Sequence, residues 1–237
     1  MRKHRVHPAF LSLAALLLLL PGSFLRADET VAGGTAEWKE STPGRWNSLP
    51  ERRVEEGDHS FRASIVLTPG TGVLWEKNVN KPVNPGTELA IMMESSGVNT
   101  TSHDYQRYKA YFPVSVTVVF GKDFVDLPWK KRLWNIFRGI WHGSSSGGIR
   151  MTFAYGNVVP VGSMYRLGEE ETVFLLAGRE EHGRKIESVR DLRADFLAAY
   201  GREPRGPVTR ILVSAQRPAD EDGPIDVTLR ITSPLIR

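Results

Sequence analysis

The chain is predicted to be an all-β sandwich, jelly-roll-like, with two peripheral helices. Three observations predict this. Short runs of alternating apolar residues recur from residue 59 to the C-terminus. Gly and Pro punctuate the intervals between them. Only two stretches carry a helical period.

Residues 1–27 read as a signal peptide. Arg2, Lys3 and Arg5 make a positive start, and Ala9 to Leu20 is mostly apolar. Pro21 and Gly22 break that run, and Ala27 offers a small residue for cleavage. The apolar run is too short to cross a bilayer comfortably. The expectation is a periplasmic or secreted protein, processed near Ala27.

Processing changes the charge. The whole chain carries 31 Lys and Arg against 27 Asp and Glu. Arg2, Lys3, Arg5 and Arg26 lie in the leader, so 27 basic residues face 27 acidic ones afterwards. A neutral balance gives no general electrostatic case for nucleic acid, which is not an expected partner. The chain has no cysteine. Disulfides and thiolate metal sites are therefore excluded, including a disulfide-linked partner.

Residues 28–58 are polar and rich in Gly, Pro and Glu, with Trp38 and Trp46 but no period. They are expected to form a loosely ordered lead-in with one edge strand at most. Residues 59–237 are then a single sandwich domain. "HSFRASIVL" (59–67) alternates Phe61, Ala63, Ile65 and Leu67. "TGVLWEKN" follows the Pro69-Gly70 turn, and "TELAIMMES" (87–95) follows Pro85-Gly86. "YFPVSVTVVFG" (111–121) places Val114, Val116, Val118 and Phe120 on one face. "IRMTFAYG" (149–156), "ETVFLLAG" (171–178), "VTRILVSAQ" (208–216) and "IDVTLRITS" (225–233) complete the strands.

The first helix is expected over about 128–142. Trp129, Leu133, Ile136, Phe137, Ile140 and Trp141 form one stripe, with Lys130, Lys131, Arg132 and Arg138 on the remaining surface. Such a stripe is expected to pack on the sandwich. Trp134, off the stripe, and Lys130 and Lys131 are the candidates for contact with a partner or, less favoured, a membrane surface. The second helix is expected over about 188–200. Ser188 with Asp191 reads as a capping box, Val189, Leu192, Phe196, Leu197 and Tyr200 as its apolar face, and Gly201 as its stop.

Chemical motifs are sparse. Gly143-Ser144-Ser145-Ser146-Gly147 matches a nucleophile-elbow pattern. An elbow needs a strand before it and a helix after it, and here the order is reversed. No catalytic residue is assigned. No metal motif occurs, so no metal or cofactor is expected. The acids of "PADEDGPID" (218–226) and "GEEET" (168–172) read as solvated surface turns. Asn99 in "NTT" matches a glycosylation acceptor, with little weight. Aromatic faces suit sugar rings. Trp38, Trp46, Trp75, Tyr105 and Tyr108 lie outside the obvious core pattern and are the candidate ligand-binding residues.

"VSVTVVFG", "MTFAYGNVVPVGS" and "VRDLRADFLAAYGREP" carry a resemblance to an exported bacterial family, domain of unknown function 3047, over roughly residues 59–237. The third stretch is the most specific, with Arg190-Asp191, Ala194-Asp195, Tyr200-Gly201 and Glu203-Pro204. The chain departs from the family pattern at Leu89–Met93 and at Ala215, Gln216 and Arg217. The resemblance implies a jelly-roll sandwich similar to carbohydrate-binding domains. It carries no catalytic residue.

The functional expectation is thus an exported, non-catalytic binding module for a glycan or envelope component. An envelope interaction protein docking through Trp129–Trp141 is the second reading. A polysaccharide-active hydrolase, needing two carboxylates across a cleft, ranks last.

Overall fold

The structure, a computed structural model, describes residues 37–43, 46, 48–106, 110–121 and 148–236. Twelve strands and one α-helix occur among them. The strands are β1 (Lys39–Ser41), β2 (Glu51–Gly57), β3 (Ser60–Leu67), β4 (Thr71–Lys81), β5 (Glu88–Ser95) and β6 (Val114–Gly121). Then come β7 (Gly148–Tyr155), β8 (Met164–Gly168), β9 (Glu171–Ala177) and β10 (Ile186–Asp191). Helix α1 (Leu192–Tyr200) precedes β11 (Val208–Arg217) and β12 (Ile225–Thr232).

These strands form two sheets, which confirms the sandwich. The larger has seven strands in the order β1-β4-β11-β6-β7-β9-β8, and the smaller has five in the order β10-β5-β12-β3-β2. Neighbours are antiparallel except β7 and β9. The period-2 pattern explains the packing: alternate residues of each strand point inward. Phe61, Ile65 and Leu67 of the small sheet share one buried cluster with Trp75, Val116, Phe153 and Val213 of the large one. Each such side chain contributes roughly 1.5–3 kcal/mol of burial.

The N-terminal part is more structured than expected. β2 pairs with β3 along seven residues, and β1 pairs with β4. Trp38 joins the core and packs against Phe61, ring centres 4.3 Å apart and planes tilted by 40°. The pattern "ERRVEEG" has too little apolar content to announce a strand. It forms one because β3 offers a free edge, and its exposed charges blunt the new edge.

The second helix starts four residues later than expected. Ser188 to Asp191 belong to β10, paired with β5. Asp191 is the N-cap, accepting from the amides of Arg193 and Ala194. Val189 is exposed, as is Leu197, so the apolar face reduces to Leu192, Phe196 and Ala199. Gly201 closes the helix with φ +67° as expected. Arg190 bonds Asp195 with Nε 2.8 Å from Oδ2 and lies over Phe153 and Phe174, so this pair is a structural clamp.

The expected helix over 128–142 and the Gly143–Gly147 stretch lie outside the described residues.

Candidate functional site

The outer face of the seven-stranded sheet presents side chains in register. One row runs Glu76, Leu212, Thr117, Thr152 and Val173 across β4, β11, β6, β7 and β9. The next runs Asn78, Arg210, Val119, Arg150 and Glu171. Above them lie Leu74, Ser214, Ser115, Ala154 and Leu175. Polar residues can stand here because the opposite face supplies the core.

Hydroxyls pair across strands on this face. Thr117 Oγ1 is 2.9 Å from Thr152 Oγ1, and Ser115 Oγ is 2.9 Å from Ser214 Oγ. Thr152 Oγ1 also lies 3.4 Å from Glu171 Oε1. The Glu171 carboxylate therefore leans inward over β7. On the other bank, Glu76 Oε1 accepts from Arg210 Nη1 at 3.2 Å, and Lys39 faces Glu76 in register. Glu76 and Thr117 are two strand spacings apart, about 10 Å, and Glu76 and Glu171 are four apart at their backbones, about 19 Å. Two carboxylates thus flank a strip of threonines. Both are half-buried.

Sequence reasoning missed both acids. "GEEET" is a turn only at Glu169 and Glu170; Glu171 opens β9 and shares the face with Arg150. Glu76 sits at an outward position of a strand whose alternation was visible: Val73, Trp75 and Lys77 point inward. Reading outward as well as inward positions would have found it.

The middle of the face is enclosed: Ser115, Val119, Thr152, Ala154, Val173 and Leu175 are each at most 4% exposed. Phe112 packs on Ala154, Val173 and Leu175, with Tyr165 and Leu167 at the margin. Burial raises the Tyr165 hydroxyl well above the usual tyrosine range, with the Asp104 and Glu171 charges adding to it. The Tyr165 hydroxyl donates to the Asp104 carbonyl at 2.8 Å.

The aromatic candidates divide. Trp75 is core, its Nε1 donating to Glu40 Oε2 at 2.9 Å, and Trp38 is core beside it. Neither face is open to a ligand, which corrects both expectations: large aromatics fill a sandwich interior first. Trp46 is half-buried on the outer face and meets the Tyr111 ring edge-on at 5.5 Å. Tyr105 is 60% exposed, with the His103 ring 6.3 Å away. Tyr108, Trp134, Lys130 and Lys131 lie outside the described residues.

Of the acids of 218–226, Asp220, Asp222 and Asp226 are exposed as expected, and Glu221 is corrected. Glu221 is buried, accepting from the Thr101 amide at 2.6 Å and from the Thr100 and Thr101 hydroxyls. Burial pushes its carboxyl up, but these hydrogen bonds outweigh that and hold it below the usual range. Asn99 is fully buried, with Nδ2 donating to the carbonyls of Tyr111 and Gln216. It is no surface glycosylation acceptor in the folded chain. A hollow of about 430 Å³ lies between 157–161 and 178–181. The Val158 and Val159 amides there already donate to Asp104, so they offer a ligand nothing. Among the described residues, no group of three His, Asp or Glu is placed to hold a metal.

No family model matches the chain, and no curated protein matches it. Solved structures do. One is the xyloglucanase domain of NopAA, a type three effector of Sinorhizobium fredii, in complex with cellobiose. It is 10% identical, with a TM-score of 0.37, covering 85% of this chain and 100% of that one. A variant of the Cel12A cellulase of Rhodothermus marinus is 11% identical, with a TM-score of 0.38, covering 83% and 97%. The catalytic domain of Humicola grisea Cel12A, with a thio cellotetraose, is 13% identical, with a TM-score of 0.33, covering 78% and 96%. These are enzymes of carbohydrate breakdown, and the expectation of a non-catalytic binding module is withdrawn on that finding.

Proposed function

We propose that this chain is an exported, polysaccharide-active hydrolase whose chemistry takes place on the outer face of the seven-stranded sheet. The observation that carries the reading is the placement of Glu76 and Glu171 on opposite banks of the Thr117–Thr152 strip. Glycosidic cleavage needs two carboxyl groups roughly 5–9.5 Å apart across the scissile bond. The Glu76 and Glu171 backbones stand four strand spacings apart, about 19 Å, so the reading requires both side chains to reach inward over the strip. One protonates the leaving oxygen. The other either attacks the sugar or activates a water. The threonine hydroxyls between them bond each other, and Thr152 is 3% exposed, so they order the strip from beneath.

Arg210 has a positioning part in this scheme. Its guanidinium donates to Glu76 Oε1 at 3.2 Å. Thr152 does the same for Glu171 through a longer contact. Export fits the substrate, since polysaccharides are met outside the cytoplasm, and residues 1–27 supply the signal for it.

The test is release of reducing ends by the processed chain from a panel of soluble β- and α-linked polysaccharides. The reading predicts release from at least one class. No release from any member would overturn it.

A further inference from the structure

We propose that Trp46 and Tyr111 form a preorganised sugar-ring subsite on this same face, remote from the two acids and fixed by a buried amide knot. The inference rests on the face being the substrate-binding surface, but not on the chemistry of Glu76 and Glu171.

The geometry of Trp46 is set by Gly72. A Cβ on Gly72 would stand 2.8 Å from both Cγ and Cδ1 of the indole, and 3.0 Å from Cδ2. Gly72 shares the outward parity of Leu74 and Glu76 along β4. The indole therefore lies flat on the outer face of β4, with one face against the backbone. Its other face is turned away from the sheet. The Tyr111 ring stands at 86° to it, forming a corner. A flat ring with a wall at its edge suits the apolar face of a pyranose.

The corner is held from behind. The Tyr111 amide donates to Ser102 Oγ at 2.8 Å. Its carbonyl accepts from Asn99 Nδ2 at 2.7 Å and Asn157 Nδ2 at 3.1 Å. Asn157 is fixed in turn by Asp104, which accepts from both its backbone amide and its side chain. Asn99, Ser102, Asp104 and Asn157 are each at most 1% exposed. Three buried polar side chains, from residues 99–102 and 157, converge on one backbone position, and Asp104 holds one of them. Their cost is offset only if each is satisfied, and these are. The product is a fixed backbone position from which the Tyr111 ring meets Trp46, and a fixed base is part of the preorganisation a subsite needs.

The subsite is some distance from the acids. Gly72 and Glu76 are four residues apart on β4, about 13 Å. A short oligosaccharide cleaved at the acids would not reach Trp46, whereas a long one would. The subsite therefore affects long substrates alone.

The experiment compares Trp46→Ala, Tyr111→Ala and Ser102→Ala on short and long oligosaccharides of the hydrolysed class, beside thermal melting. Each variant is expected to raise KM for the long substrate by roughly three- to tenfold with kcat unchanged. The short substrate is expected to be unaffected. Ser102→Ala in a Trp46→Ala background is expected to add nothing, because Ser102 acts through the aromatic corner. If Ser102→Ala does not fold, the two aromatic variants decide the matter alone. Equal KM changes on short and long substrates, or none, would overturn the subsite while leaving the hydrolase reading intact. If no polysaccharide is cleaved, the same variants are compared for oligosaccharide binding by calorimetry. Binding lost in Trp46→Ala then supports the subsite without the chemistry, and binding unchanged refutes it.

Discussion

The Trp46 indole rests on the bare Cα of Gly72, where a Cβ would stand 2.8 Å from two ring atoms. Gly72→Ala must therefore lift the ring. The backbone is extended β4, so Ala itself is conformationally tolerated there. The expected outcome is a small change in melting with a loss of long-substrate affinity similar to that of Trp46→Ala. Unchanged affinity would mean that the ring position does not matter.

Arg217 and Glu221 lie 3.9 Å apart with side chains 4% and 1% exposed. Arg217 also donates to the carbonyls of Gly223, Asp222 and Val98. Removing one partner leaves a buried charge uncompensated, at a cost of about 3–5 kcal/mol. Glu221→Ala is expected to lower Tm by roughly 10 °C, at 2–4 °C per kcal/mol for a chain of this size. A shift below a few degrees would show that the arginine's carbonyl contacts suffice without the acid.

Acid should act through the same residue. Glu221 is held below the usual carboxylate range, as is Glu40, for which the Arg52 hydrogen bond is the largest cause. A folded value below the unfolded one contributes stability that is present above the unfolded value. It is lost as pH falls through the folded one. Tm is expected to drop as pH is lowered below about 4.5, and Glu221→Gln should flatten that slope. An equal slope in the variant would move the effect to other acids.

Tyr155 works at the other end of the scale. Burial, with smaller contributions from the Glu181 and Glu94 charges, pushes its hydroxyl up to about 12. The raised value gives a stability term that is whole below about pH 10. It disappears as pH rises through about 12. Among the described residues its hydroxyl has no hydrogen-bond partner. Tyr155→Phe removes an unsatisfied polar atom and is expected to leave Tm unchanged or higher. A loss of more than about 1 kcal/mol would reveal an uncounted partner, such as a buried water.

At helix α1, Asp191→Ala is expected to cost about 1 kcal/mol, read by denaturant titration, because two amides lose their acceptor. Ser188→Ala should cost less, since Ser188 is a strand residue.

The strands with clean alternation were legible in the sequence, because inward Phe, Val and Ile report the core directly. β2 and β10 were not. Their residues are mostly polar, and they are strands because β3 and β5 present unpaired edges, which is tertiary information. Ser188 and Asp191 show the same limit: both fit a cap by type, and pairing with β5 selects Asp191. The candidate site was less legible still. Trp46 was found by its residue type, but Tyr111 and Gly72 matter through contacts distant in sequence. Glu76 and Glu171 are separated by 95 positions and share one sheet face only through strand order. Trp38 and Trp75 were misplaced because an aromatic outside a clear period still finds the core.

The central claim is that Glu76 and Glu171 act together on a glycosidic bond. Initial rates of reducing-end release by the native protein, Glu76→Gln and Glu171→Gln on one polysaccharide test it directly. Both variants should melt like the native protein and lose at least about a hundredfold in rate. Full activity in either one would contradict the account.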